Sequence, residues 1–175
     1  NAALWRELAR LPGLDTSQAI TISIAMSLVI ALATAGLLSL LAWRWTLKPA
    51  ITLFLLSAAF GTYFMMTYGV VIDKTMMVNT LQTDMRETRD LLNWRLAATV
   101  LVLAVVPGIF LWRQKIRQKS VARQALSNVF TVAASCALLV LVVLMFFQSI
   151  ASVMRNHTQV RYLINPLNSF YALGA

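Results

Sequence analysis

Four runs of the chain carry no charge over a length that can cross a bilayer: Thr16 to Trp43, Pro49 to Ile72, Leu96 to Trp112 and Gln124 to Met154. A helix needs roughly 20 apolar residues, at about 1.5 Å each, to span a hydrocarbon core of about 30 Å. The third run is the shortest, but Trp94 and Trp112 bracket it. As a helix that interval is about 27 Å long, with an indole at each interface. Period-two alternation is absent, and in lipid only helices or closed barrels satisfy the backbone. The pattern therefore predicts an all-α, polytopic membrane helix bundle. Its four spans fall at about 18–43, 49–72, 93–112 and 125–150, with short interfacial segments at 1–15, 73–92 and 155–175.

Local signals refine these elements. Leu4, Trp5, Leu8 and Leu11 share a helical stripe, which predicts a short interfacial helix, and Pro12-Gly13 ends it. Asp15, Thr16 and Ser17 offer N-caps for the first span. Ala31, Ala35, Gly36 and Ser39 in that span, and Ser57 and Gly61 in the second, are small enough for helices to approach closely. Pro49 suits a first helical turn. Pro107-Gly108 is expected to kink or end the third span. Pro166 interrupts the polar tail, where Tyr162, Phe170 and Tyr171 can rest at the interface.

Composition supports the same class. The chain of 175 residues is 59% hydrophobic and 12% charged, against about 25% charged in soluble domains. The stretch Asn1 to Leu14 lacks the basic start and apolar core of a signal peptide. With no initiator Met, the chain reads as a piece of a longer protein. Cys136 is alone and mid-span, which predicts a small packing residue. The net charge of +9 is not the footprint of a nucleic-acid binder. Arg113, Lys115, Arg117, Lys119 and Arg123 crowd one short loop, and Arg44 and Lys48 lie in the other loop on that side. All six acids lie in the segments of the opposite side. Basic density in short loops places 44–48 and 113–123 in the cytoplasm, where they can also meet anionic headgroups. Both chain ends and residues 73–95 are then expected outside.

The polar segment 73–95 holds four acids, Asp73, Asp84, Glu87 and Asp90, and four bases, Lys74, Arg86, Arg89 and Arg95. Most two-span connections are shorter and plainer, so this one is a candidate binding surface. Met76, Met77 and Leu81 give it an apolar flank beside Thr80 and Thr83. Asn79 and Thr83 are four apart and share a helical face. Methionines toward the acyl chains and amides toward the headgroups make a lipid cradle. A purely structural reading stands beside it. Asp84 and Glu87 have capping-box spacing, and Arg86 with Asp90 is an ordinary four-apart ion pair. Elsewhere, one Cys and one His, Cys136 and His157, make no metal site. No Ser or Thr has a neighbouring His to act as base. Asn156-His157-Thr158 matches a glycosylation pattern too short to carry weight.

Three stretches are familiar together. Thr62 to Asp73 reads TYFMMTYGVVID and leads into Asn79 to Leu91, NTLQTDMRETRDL. The tail runs ASVMRNH from Ala151, then RYLINPLN from Arg161. These resemble the membrane domain of bacterial lipid A phosphoethanolamine transferases, including the mobile colistin-resistance enzymes, nearly end to end. The resemblance implies a multi-pass protein of the bacterial inner membrane, with one further helix before Asn1 and a periplasmic catalytic domain after Ala175. That domain would bring zinc and a threonine nucleophile, take phosphoethanolamine from phosphatidylethanolamine, and pass it to a lipid A phosphate. The present chain alone is then expected to hold no catalytic residue, metal or cofactor. The resemblance also assigns Asn79 and Glu87, with Thr83 on position, to binding of phosphatidylethanolamine. An ethanolammonium pairs with a carboxylate, and an amide donates to a phosphate oxygen. The alternative from another class is a non-enzymatic helical module, a transporter subunit or scaffold. Transporters usually place ionisable groups inside their spans, and here the charges lie at the span edges or beyond. A third reading makes residues 73–95 an interfacial anchor only.

Overall fold

The computed structural model describes residues 1–9, 16–69, 93–115, 120–157, 160 and 163–168. Among these, all extended regular structure is helical. The order is α1 (Ala2–Leu8), α2 (Thr16–Leu40), α3 (Leu47–Tyr68), α4 (Trp94–Arg113), α5 (Val121–Met145) and α6 (Phe147–Asn156). Helices α2 to α5 are each long and apolar enough to span a membrane. Their charged residues, Lys48, Arg95, Arg113 and Arg123, all lie in terminal turns. A short helix forms at the N-terminal stripe, with Leu4 and Leu8 buried and Trp5 half-buried, while Leu11 lies outside the described residues. The chain divides into two compact units. One comprises Asn1–Leu4, Thr52–Gln114 and Gln159–Ala175, the other Trp5–Ile51 and Lys115–Thr158.

In the second unit α2 packs along α5. Ile22, Ala25, Met26 and Ile30 are the buried residues of α2, and Asn128, Ser135 and Val142, spaced seven apart, are those of α5. Of the small residues expected to bring helices together, Gly36 meets a partner: a Cβ there would stand 3.6 Å from the Ser135 Cβ. Ala31 and Ala35 face outward. Cys136 is also exposed, a correction to its expected packing role. Ser135 takes the contact with α2, and the next residue is turned about 100° away.

The first span was expected to reach residue 43, but α2 stops at Leu40. Its last amides bond three residues back, Leu41 to Leu38 and Ala42 to Ser39, both at 3.2 Å. Such tightening is common at helix ends, where carbonyls run out of partners. The Ala42 carbonyl accepts instead from Gln124 Nε2 at 2.9 Å and Asn128 Nδ2 at 3.1 Å, and Gln124 Nε2 also donates to Asn128 Oδ1 at 2.8 Å. Beyond it Arg44 lies over the Trp45 ring, 4.9 Å from the centroid, a cation–π pair suited to an interface. Replacing Asn128 with Val should lower the stability of the α2–α5 pair by about 1 kcal/mol, within the range seen for interhelical bonds in lipid. Thermal unfolding in detergent reads this, and unchanged stability would show that the amide bonds contribute nothing net.

The fourth span, expected to run to about 150, ends at Met145. Phe146 leaves helical geometry (φ −106°, ψ 18°), and α6 begins at Phe147. By charge alone the run reads as continuous, because Gln148, Ser149 and Ser152 are polar without being charged. In α6 Val153 is buried with Ile150 and Met154 half-covered, while Gln148, Ser152, Arg155 and Asn156 are exposed. That is an amphipathic helix rather than a continuation of the apolar span.

In the first unit, α4 neither ends at Pro107 nor passes it unaltered. Residues Leu101–Val105 form a π-helical turn, with the Val106 amide donating to the Leu101 carbonyl. Proline has no N–H and its ring collides with the carbonyl four residues back. The widened turn just before it absorbs both defects, and the helix continues to Arg113. Near that end Trp112 Nε1 donates to Thr52 Oγ1 at 3.1 Å, which joins α4 to α3. In the same unit Val160, Leu163 and Asn165 of the tail are buried.

Candidate functional site

Asn79, Thr83 and Glu87 lie in the segment 70–92, outside the described residues. What the structure describes is the pair of stems that carries this segment. The outgoing stem ends where Gly69 adopts φ +64°. A left-handed residue after a helix is most easily glycine, and this stops α3 at Tyr68, four residues before the expected end at 72.

The last turns of α3 are aromatic. Tyr63 meets Phe64 edge-on at 5.3 Å and Tyr68 edge-on at 6.1 Å, and Phe64 stacks on Tyr68 at 5.9 Å with 26° between planes. Such pairs contribute about 0.5–1.5 kcal/mol beyond their area. They stiffen the helix where it hands over to the polar segment. Tyr63 itself is only 3% exposed, so its hydroxyl needs a partner.

The returning stem supplies that partner. Asn93 is the N-cap of α4, with extended backbone (φ −108°, ψ 168°) and its Oδ1 accepting from the Leu96 amide at 3.0 Å. Its Nδ2 donates to the Tyr63 hydroxyl at 2.7 Å. One amide thus starts α4 and ties it to α3. The tie lies about 8 Å along the axis from Tyr68, five residues of helix. Beside it is a shallow groove of about 440 Å³ lined by Phe60, Asn93, Trp94, Leu96, Ala97 and Val100. Its lining is apolar but for the Asn93 amide and the Trp94 indole. Asn93 and Tyr63 carried no signal strong enough to single them out. In hindsight, a lone Asn just before an apolar run is an N-cap signal.

Four helices long and apolar enough to span a bilayer, with their charged residues confined to terminal turns, define a multi-pass membrane protein. The family model described as phosphoethanolamine transferase EptA/EptB matches residues 24–175. The chain belongs to this family. Phosphatidylethanolamine transferase Mcr-2 of Escherichia coli is 32% identical over 162 residues, covering 93% of this chain and 29% of that protein. Phosphatidylethanolamine transferase Mcr-1 of the same species is 36% identical over 132 residues, 75% of this chain and 24% of that protein. Phosphoethanolamine transferase EptA of Salmonella typhimurium is 27% identical over 173 residues, 98% and 32% respectively. The solved structure of the integral membrane lipooligosaccharide phosphoethanolamine transferase A (EptA) from Neisseria meningitidis shares the fold, with a TM-score of 0.85 over 97% of this chain and 32% of its own, at 23% identity. The chain thus spans a third or less of the length of these relatives.

Proposed function

We propose that this chain is the membrane-embedded, lipid-presenting part of an enzyme that transfers phosphoethanolamine from phosphatidylethanolamine to lipid A. The family match over residues 24–175 carries the reading. The bonded stems support it, since they hold the ends of a polar segment rich in groups that suit a zwitterionic headgroup. On this reading the protein lies in the bacterial inner membrane, with loops 44–48 and 113–123 cytoplasmic and residues 73–95 and both chain ends periplasmic. The added amine lowers the negative charge of the outer surface and weakens polymyxin and colistin binding.

Within the headgroup site, the Glu87 carboxylate pairs with the ethanolammonium, and the Asn79 amide donates to a phosphate oxygen. The Thr83 hydroxyl, four residues on from Asn79, adds a further donor. These groups bind and orient; they do not attack phosphorus. The threonine nucleophile that displaces diacylglycerol, and the zinc that would activate it, belong to the catalytic domain that the remaining length of the relatives accommodates. Among the described residues no three His, Cys, Asp or Glu side chains gather to hold a metal.

The direct test is expression of the full-length protein in a bacterium without such a transferase, with lipid A read by mass spectrometry. A phosphoethanolamine adduct is expected, and unmodified lipid A from correctly inserted protein refutes the reading. A finer test is Asn79→Ala, which should weaken use of the bilayer donor several-fold while leaving hydrolysis of a small soluble phosphoethanolamine ester nearly unchanged. Equal losses would mark a folding defect instead.

A further inference from the structure

Asn165 is the most deeply buried polar side chain described, at 1% exposure. Its Nδ2 donates to the Ala58 carbonyl at 2.8 Å and to Thr62 Oγ1 at 3.3 Å, and its own amide donates to Asn1 Oδ1 at 2.8 Å. The Ala58 carbonyl can only accept, so the atom of the side-chain amide that meets it is the Nδ2 donor. Its Oδ1 is buried with no hydrogen-bond partner among the described residues. An orphaned acceptor is a cost that native structures rarely keep without reason.

The surface that receives this side chain is Gly61. A Cβ at that position would lie 2.5 Å from Asn165 Oδ1 and 2.7 Å from both Cγ and Nδ2. Gly61 is therefore small to admit an amide from the segment 160–168, not to admit another spanning helix. Two residues on in α3, Tyr63 accepts from Asn93 at the foot of the returning stem. Within this one compact unit, residues 58–63 of α3 thus hold both Asn165 of the tail and Asn93, the residue that follows the segment 70–92 in sequence.

We propose that Asn165, seated on Gly61, is a positioning residue that holds the tail segment in a fixed place relative to the headgroup-binding segment. The proposal rests on the functional reading above, in which the catalytic domain follows this tail. The clamp sets where that domain meets a lipid held by the membrane part. Asn165 touches no substrate and acts only through the chain it anchors. Misplacing reacting groups by an ångström or so is enough to slow a reaction by one or two orders of magnitude.

The experiment uses the full-length enzyme in phosphatidylethanolamine vesicles with lipid A as acceptor. Asn165→Ala, Gly61→Ala and the double variant are compared for transfer and for hydrolysis of a soluble phosphoethanolamine ester. Each single variant should lower transfer about tenfold while soluble hydrolysis stays within about twofold. The double variant should be no worse than Asn165→Ala, because the added methyl then has no amide to displace. Parallel loss of both activities would make the contact merely structural, and unchanged transfer or fully additive losses would overturn the clamp. If the two alanine variants fail to accumulate, Thr62→Val removes one acceptor at nearly constant size and is read in the same way. Wild-type protein that hydrolyses the soluble ester but transfers nothing to lipid A would refute the functional reading itself, and this inference with it.

Discussion

Glu87→Gln in the full-length protein should cut phosphoethanolamine transfer by roughly ten- to a hundredfold while leaving membrane insertion unchanged. A hydrogen bond to a charged group contributes about 1.5–3 kcal/mol, and each 1.4 kcal/mol is a factor of ten. Glutamine keeps the size and an acceptor oxygen but loses the charge that an ethanolammonium requires. It also serves as well as glutamate at the third position of a capping box. The substitution therefore separates the two readings of Glu87. If the residue only starts the helix that leads to α4, activity should hardly move. Lipid A mass spectra report the transfer, and an immunoblot of the membrane fraction reports insertion. Full activity would return the segment 73–95 to the role of an interfacial anchor.

Asn93→Ala removes two interactions at once. The cap on the Leu96 amide is worth about 1 kcal/mol, and the bond to the buried Tyr63 hydroxyl about as much again. Together, about 2 kcal/mol should raise the opening of the first turn of α4 roughly thirtyfold. Faster deuterium exchange at the Leu96 and Ala97 amides is the readout. Asn93→Ser keeps a capping oxygen and should recover about half of the effect. Tyr63→Phe should cost only the other half. Exchange unchanged in all three would mean that the two stems hold together without this amide.

The spanning helices were legible because a charge-free run of 20 or more residues has few other uses. Their ends were less so. Gly69 stopped α3 through its backbone, and a lone glycine in an apolar run looks like any small packing residue. The break at Phe146 was hidden because Gln148, Ser149 and Ser152 are polar but uncharged, and a search for charge passes over them. The amides were the least legible. Gln124 and Asn128 find the Ala42 carbonyl 82 and 86 positions away in sequence, and Asn165 finds Ala58 107 positions away. No local spacing announces such partners; only the packed helices bring them together. Asn79, Thr83 and Glu87 show the converse, since their local pattern was readable while their geometry lies outside the described residues.

The seven-residue spacing of Asn128, Ser135 and Val142 on α5 has a consequence for how α2 and α5 find each other. Grease against grease is nearly indifferent to a slide of two turns, about 10 Å. In lipid the neighbouring chains solvate such a face as well as any helix does. A slid pair would, however, part the Ala42 carbonyl from the two amides that meet it, at about 1 kcal/mol for an interhelical bond. One carbonyl at a frayed helix end thereby acts as a vernier mark, permitting a single alignment of two otherwise slippery rods.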